Sequence, residues 1–144
     1  MSLFPFSLRS RSRYLRIPVS SPLDGEKWQA LIARLATHAH HLKLTGGEPL
    51  VRPGLESLIR LLRRELPQLA DLAMTTNGIL LSRYATALTE AGLQRVNISL
   101  DTLRPERFEK ITGYSRLPRA LAGIERAEQI GMDPIKINTV VMRG

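Results

Sequence analysis

The stretch LTGGEPL, residues 44–50, joins the end of an apolar strand to a pair of glycines and a carboxylate. A strand that breaks into Gly46, Gly47 and Glu48 is typical of a turn that faces a ligand rather than of a generic surface loop. Two later stretches repeat the arrangement, TTNG at residues 75–78 and NISLDT at residues 97–102. Because the carboxyl ends of parallel strands share one edge of a sheet, the three turns are predicted to lie on one rim.

Apolar residues between these turns recur at helical spacing. Trp28, Leu31, Ile32 and Leu35 fall at i, i+3, i+4 and i+7, which predicts a helix over residues 26–40. The same reasoning predicts helices at 55–66, at 82–91 with Ser82 as its cap, at 105–111 and at 118–130. Strands are predicted at 14–19, 42–45, 71–75, 95–100 and 135–142.

This alternation of strands and helices indicates the fold class. Strands that follow one another roughly 25 to 40 residues apart favour parallel βα units over hairpins. The sequence therefore predicts an α/β fold of about five βα units. An open doubly wound sheet and a partial (β/α) barrel both fit, since five units cannot close an eight-stranded barrel.

Composition limits the class of protein. The chain has 144 residues, of which 43% are hydrophobic, enough for one domain with a sizeable core. Residues 1–13 are a basic arm in which arginines alternate with serines, a composition that transit peptides also show. Residues 14–144 are assigned to the α/β domain. No segment approaches the ~18 consecutive apolar residues that span a bilayer, so we expect a cytoplasmic protein without a membrane partner.

Two features suggest partners. The formal charge of +8 favours an anionic partner, either nucleic acid or a phosphorylated small molecule, although seven aromatic side chains offer little for stacking on bases. The predicted strand at 135–142 is a long, largely apolar edge of the sheet, and such an edge normally pairs with another strand. We therefore expect strand pairing or self-association through residues 135–142, and we regard nucleic acid as a less favoured partner.

Polar residues at the predicted strand ends form the candidate site. Taken singly, they are explained by turn conformation and helix capping. Together on one rim, the two glycines, a carboxylate, hydroxyls and the cations Arg16 and Lys136 could hold a charged, nucleotide-like ligand. No Gly-Lys-Ser/Thr follows Gly47, so the turn is not a phosphate-binding P-loop. His38, His40 and His41 lack a further ligand set, and no metal site is predicted there.

These motifs resemble the radical S-adenosylmethionine (SAM) enzymes, and specifically the molybdenum cofactor biosynthesis protein A group, the GTP 3′,8-cyclases. The resemblance runs from YLRI at residues 14–17 through LTGGEPL, TTNG, NISLDT and ITG at 111–113 to residues 136–144. It implies a partial (β/α) barrel. It also implies a role in molybdenum cofactor biosynthesis, with SAM as cofactor and GTP as substrate.

The resemblance also implies roles for individual residues. Gly46, Gly47, Glu48 and Ser99 would contact SAM. Arg16, Lys43, Thr75 and Lys136 would face GTP. Lys43 stands where the family usually has arginine, so a bidentate contact would become a point-charge one.

The family places a C-x3-C-x2-C loop, which holds a four-iron four-sulfur cluster, after the position of Val19 and Ser20. This chain goes directly to Pro22 and contains no cysteine. We therefore expect no metal ligands and no catalytic residues for SAM cleavage, and a chain that is inactive by itself. The family also continues beyond Gly144, so the chain is expected to be an incomplete domain. The alternative is a non-catalytic basic module that binds a polyanion or a protein partner.

Overall fold

The computed structural model describes residues 25–36 and 39–141. Their helices and strands alternate along the chain, as predicted. The elements are α1 (Gly25–Ala36), β1 (His41–Leu44), a 3-10 turn (Pro49–Val51), α2 (Leu55–Glu65), β2 (Asp71–Thr76), α3 (Leu81–Ala91), β3 (Arg95–Ser99), α4 (Pro105–Thr112), α5 (Leu117–Gln129) and β4 (Ile135–Asn138). The basic arm at 1–13, the predicted strand at 14–19 and Arg16 lie outside the described residues.

The four described strands form one parallel sheet in the order β1-β2-β3-β4. Leu44 pairs with Met74, Met74 with Val96, and Val96 with Ile135, so neighbouring strands run in sequence order across the sheet. Each connection between strands contains at least one helix. The predicted α/β fold of parallel strands is confirmed, and its open arc of strands is that of a partial barrel.

The last strand is shorter than predicted, which corrects the expected edge at 135–142. β4 ends at Asn138 because the following residues bond to the loop after β3. The Thr139 hydroxyl donates to the Leu100 carbonyl over 2.8 Å, and the Val140 N–H donates to Asp101 Oδ1 over 2.8 Å. The regular edge available for strand pairing therefore covers four residues, although Val140 and Val141 remain exposed.

Two helix boundaries also differ from prediction. α1 ends at Ala36, so His40 and His41 lie beyond the helix rather than at its last turn. α3 begins at Leu81, and Ser82 lies inside it without acting as a cap. In the turn between β2 and α3, Asn77 Oδ1 accepts a hydrogen bond from the Ile79 N–H over 3.0 Å. Asn77 thus makes the side-chain contact that was expected of Ser82.

Alternation along the strands gives the sheet two different faces. One face is apolar and packs against the helices, with Ile59 and Leu62 of α2 and Leu81 and Leu88 of α3 in the same core. Its strand residues are Leu42, Leu44, Leu72, Met74, Val96 and Ile98. The other face carries the polar strand residues, which are His41, Lys43, Asp71, Thr75, Arg95, Asn97, Ser99 and Lys136. We call this second surface the polar face.

One arginine closes the amino end of the sheet. The Arg63 guanidinium, from α2, donates to the carbonyls of Gly92 and Leu69, each over 2.8 Å, and to Gln94 Oε1 over 2.6 Å. Gln94 Oε1 also accepts from the Leu72 N–H. A single side chain thus joins the loop before β2 to the loop before β3.

At the other end of the sheet, α5 lies directly on the turn after β2. A Cβ added to Gly123 would meet the Gly78 carbonyl oxygen at 2.3 Å and Leu81 Cβ at 3.1 Å. Gly78 has φ +79°, in the left-handed region that favours glycine. Gly123 is therefore required by the close approach of the backbone, and Gly78 by its left-handed conformation.

We expect Gly123→Ala to lower the free energy of unfolding by about 1 to 3 kcal/mol, because the added methyl group overlaps a backbone oxygen that cannot move aside as a side chain can. In a solvent-exposed helix, by contrast, Gly→Ala usually raises the free energy of unfolding. Urea denaturation followed by circular dichroism measures it. Gly47→Ala is the matched control, since a Cβ there meets nothing within 4 Å. Equal stability of Gly123→Ala and the wild type would contradict the close contact.

Candidate functional site

Two cross-strand rows on the polar face carry three of the four residues expected to face GTP. Thr75 pairs with Asn97, and Asn97 pairs with Lys136, so these three residues form one row across β2, β3 and β4. Lys43 pairs with Ala73 in the adjacent row, one step nearer the amino ends of the strands. The structure thus places Lys43, Thr75 and Lys136 on one surface. The fourth, Arg16, lies outside the described residues.

This surface holds two cations that no described residue neutralises. Lys136 is exposed and Lys43 is half-buried. Neither ammonium group makes an ion pair or hydrogen bond with another part of the described chain. Ammonium groups are donors only, and phosphate oxygens are suitable acceptors for them. The two lysines flank the row at β1 and β4.

The centre of the row contains two buried oxygens without partners. Thr75 Oγ1 and Asn97 Oδ1 are both inaccessible and form no hydrogen bond within the described residues. Asn97 as a whole is 6% exposed. Sequence reasoning missed Asn97 as a site residue. The signal was present, since it lies two residues before Ser99 and so on the same face of its strand.

The residues expected to contact SAM lie at the carboxyl ends of the strands. Gly46 and Gly47 form an exposed turn after β1, with open space where a side chain on Gly47 would stand. Ser99 is exposed at the end of β3 and pairs with Asn138. These three residues are accessible on the rim of the sheet. Their contact with SAM stays a prediction.

The Glu48 carboxylate is engaged inside the protein. Its Oε1 accepts hydrogen bonds from the Thr76 hydroxyl over 2.7 Å and from the Leu50 N–H over 3.1 Å, and its Oε2 accepts from the Asn77 N–H over 2.7 Å. Both oxygens are therefore used to join the turn after β1 to the turn after β2. The geometry supports a positioning role for Glu48, while Gly46 and Gly47 remain accessible.

A charged cluster lies at the amino end of the polar face. Arg95 Nε donates to Asp71 Oδ1 over 2.7 Å, and Arg95 Nη2 donates to Asp71 Oδ2. His41 Nδ1 lies 3.8 Å from the same carboxylate. The hydrogen bond from Arg95 is the main cause that holds the pKa of Asp71 below its usual range, against the opposing effect of burial. This cluster neutralises its own charge, in contrast to the lysines.

The donors required for an iron–sulfur cluster are missing from the part of the chain that is described. Residues 25–36 and 39–141 contain no group of three or more His, Cys, Asp or Glu side chains able to hold a metal ion. The whole sequence contains no cysteine, and thiolates are the usual ligands of four-iron four-sulfur clusters. The residues present therefore do not fit the cluster that the resemblance implies.

Within the same ranges, no helix combines the length and the apolarity needed to cross a membrane.

Replacing Glu48 by Gln tests its positioning role. We expect a loss of about 1 to 3 kcal/mol in the free energy of unfolding, because an amide nitrogen cannot accept a hydrogen bond and one donor in the turns would be left unpaired. Urea denaturation at pH 7 measures the change. Glu90→Gln, at an exposed position in α3, is the control. Equal losses in the two variants would show that the Glu48 contacts contribute nothing particular.

The Asp71–Arg95 pair predicts a pH dependence. Because the folded-state pKa of Asp71 is depressed, its stabilising contribution is present above the unfolded pKa of about 3.9 and is lost as the pH falls through the folded pKa. At pH 7, Asp71→Asn should lower the free energy of unfolding by about 1.5 to 3 kcal/mol. The difference from wild type should shrink below about pH 4. Urea denaturation across this range measures it, with the exposed Asp133→Asn as control, and a difference independent of pH would contradict the assignment.

Comparisons with known proteins agree with this geometry. A model of the Radical SAM superfamily matches residues 15–144. The GTP 3′,8-cyclase of Petrotoga mobilis is 53% identical over 103 residues, which cover 72% of this chain and 32% of that protein. The GTP 3′,8-cyclase of Pelotomaculum thermopropionicum is 50% identical over 129 residues, 89% of this chain and 39% of that protein.

GTP 3′,8-cyclase 1 of Pseudomonas aeruginosa is 53% identical over 115 residues, 78% of this chain and 35% of that protein. The chain thus spans about a third of the length of the relatives it matches. The superfamily match, in contrast, extends over most of this chain. The chain therefore belongs to the radical SAM superfamily, with GTP 3′,8-cyclases among its relatives.

Proposed function

We propose that this chain binds GTP on the polar face of its sheet and does not cleave SAM reductively by itself. The observation that supports binding is the row of Thr75, Asn97 and Lys136, with Lys43 beside it. Together these four residues combine two cations that no described residue neutralises with two buried oxygens that lack partners within the described residues. Relatives named as GTP 3′,8-cyclases supply the choice of GTP among anionic ligands.

The described residues account for how GTP would be held. The ammonium groups of Lys43 and Lys136 would neutralise phosphate oxygens, which carry most of the charge of the nucleotide. The Asp71 carboxylate is paired with Arg95, so its negative charge would repel those phosphates less. Glu48 holds the turn after β1 against the turn after β2, which fixes the rim beside the ligand.

SAM would lie at the rim formed by Gly46, Gly47 and Ser99. In the superfamily, cleavage of SAM takes an electron from an iron–sulfur cluster, and this sequence offers no thiolate to bind one. The family role in molybdenum cofactor biosynthesis would thus be reduced here to ligand binding. A basic module that binds any polyanion is the second candidate, since the sequence has a formal charge of +8.

Calorimetric titration of GTP into the folded chain, without added iron, tests the binding proposal. We expect a dissociation constant of ~10 to 100 μM, because two charge contacts and a partly open surface support only modest affinity. Lys43→Met and Lys136→Met should each weaken binding several-fold. Lys110→Met, at an exposed position in α4, is the matched control and should bind as the wild type does.

Two results would contradict the proposal. If Lys110→Met weakened binding as much as Lys136→Met, or if single-stranded DNA bound as tightly as GTP with a steep salt dependence, the polyanion module would be favoured instead. Anaerobic incubation with iron, sulfide, SAM and a reductant tests the second half of the proposal. We expect no 5′-deoxyadenosine, and its stoichiometric formation would overturn the assignment as non-catalytic.

A further inference from the structure

Asn97 is an unusual residue for its position in the sheet. It lies in β3, between β2 and β4, and is 6% exposed. Asparagine is depleted in strands, and a buried amide oxygen without a donor destabilises the folded state. Asn97 Oδ1 has no such donor within the described residues. The protein thus retains a buried acceptor here that no described residue uses.

A second unused oxygen lies beside it. Thr75 on β2 is the Cα partner of Asn97, and its hydroxyl oxygen is also buried without a partner. Paired residues of neighbouring strands are separated by about 5 Å, and both side chains are on the polar face. The two oxygens are therefore neighbours, and one group of a ligand that entered the row would meet both.

The chemistry of the amide oxygen restricts which part of a nucleotide it contacts. An amide oxygen only accepts hydrogen bonds. The oxygens of an ionised triphosphate likewise only accept them. Asn97 Oδ1 therefore cannot bond to the phosphates. Donors are found on the nucleoside, as ribose hydroxyls and base N–H groups. The lysines on the flanking strands have the complementary property, since they donate to phosphate.

We infer that Asn97, acting with Thr75, contacts the nucleoside part of the bound nucleotide by accepting a hydrogen bond from a ribose hydroxyl or a base N–H. This inference rests on the proposed binding of GTP and assigns a specificity role to Asn97, which belongs to the stretch NISLDT but was not predicted as a site residue. The nucleoside then lies over the centre of the row, and the phosphates lie towards Lys43 or Lys136.

The test compares GTP with inorganic tripolyphosphate, which has the phosphate charges but no nucleoside. Calorimetric titrations use the wild type, Asn97→Leu and Thr75→Val, both near-isosteric changes that remove the unpaired polar atom. For each variant we expect GTP binding to weaken roughly fivefold to tenfold, the effect of one lost hydrogen bond. For Asn97→Leu, tripolyphosphate binding should change by less than about twofold, because the amide oxygen that is removed cannot accept a hydrogen bond from phosphate.

Thr89→Val is the control for a lost threonine hydroxyl, since Thr89 donates to Ala85 within α3, on the other side of the sheet. It should leave the affinity for both ligands unchanged. Thermal melting without ligand gives a second readout. Asn97→Leu should raise the melting temperature, because it removes a buried oxygen that has no hydrogen-bond partner among the described residues.

The outcomes separate this inference from the proposed function. If the wild type binds GTP and Asn97→Leu and Thr75→Val bind it equally well, the nucleoside contact is wrong and the proposed function stands. If the wild type binds tripolyphosphate as tightly as GTP, contacts to the nucleoside add nothing to the affinity and the inference also fails. Loss of binding to both ligands in equal measure by Asn97→Leu would likewise overturn it.

Discussion

The carboxylate of Glu48 is the contact on which the ligand end of the sheet depends. It bonds to the Thr76 hydroxyl and the Asn77 N–H, 28 and 29 residues further along the chain. The Thr76 hydroxyl in turn accepts a hydrogen bond from the Gly78 N–H. Gly78 is the residue on which Gly123 of α5 packs. A connected path therefore runs from the glycine turn after β1, through β2, to the helix before β4.

The polar face is divided into two parts with different electrostatics. At its amino end, Asp71 and Arg95 form a bidentate pair whose side chains are only 20% and 19% exposed. Lys43 lies in the same cross-strand row as Arg95, on the other side of the fully buried Ala73, and Lys136 lies one row nearer the carboxyl ends. No described residue offsets the charges of these two lysines. The described polar face therefore carries its excess positive charge on its two outer strands, β1 and β4.

Much of this fold follows from local patterns in the sequence. The apolar spacing in α2 predicted that helix, and the predicted strands at 71–75 and 95–100 match β2 and β3, each to within a residue or two. The end of β4 was not predictable in this way, because it depends on Asp101 and Leu100 bonding to residues 39 positions away. Ser82 failed as a predicted cap because Asn77 had already closed the turn. Local preference thus gives the elements, and distant contacts determine where they stop.

The candidate site shows the same division. The rim residues were identified because glycines, hydroxyls and a carboxylate follow apolar strands, and the structure brings Lys43, Thr75 and Lys136 to one surface. The hydrogen bonds that Glu48 makes within the protein could not be predicted. The sequence around a carboxylate in a turn does not show whether it contacts a ligand or another turn. Asn97 needed the register between β2 and β3 before its pairing with Thr75 was visible.

Arg63 lies at the opposite end from all of these residues. Its three hydrogen bonds tie α2 to the loops before β2 and β3, and they use no atom of the ligand surface. The amino end of the sheet is thus held together independently of what the rim binds. Substitutions on the polar face therefore leave intact every hydrogen bond by which Arg63 joins the opposite end of the sheet to α2.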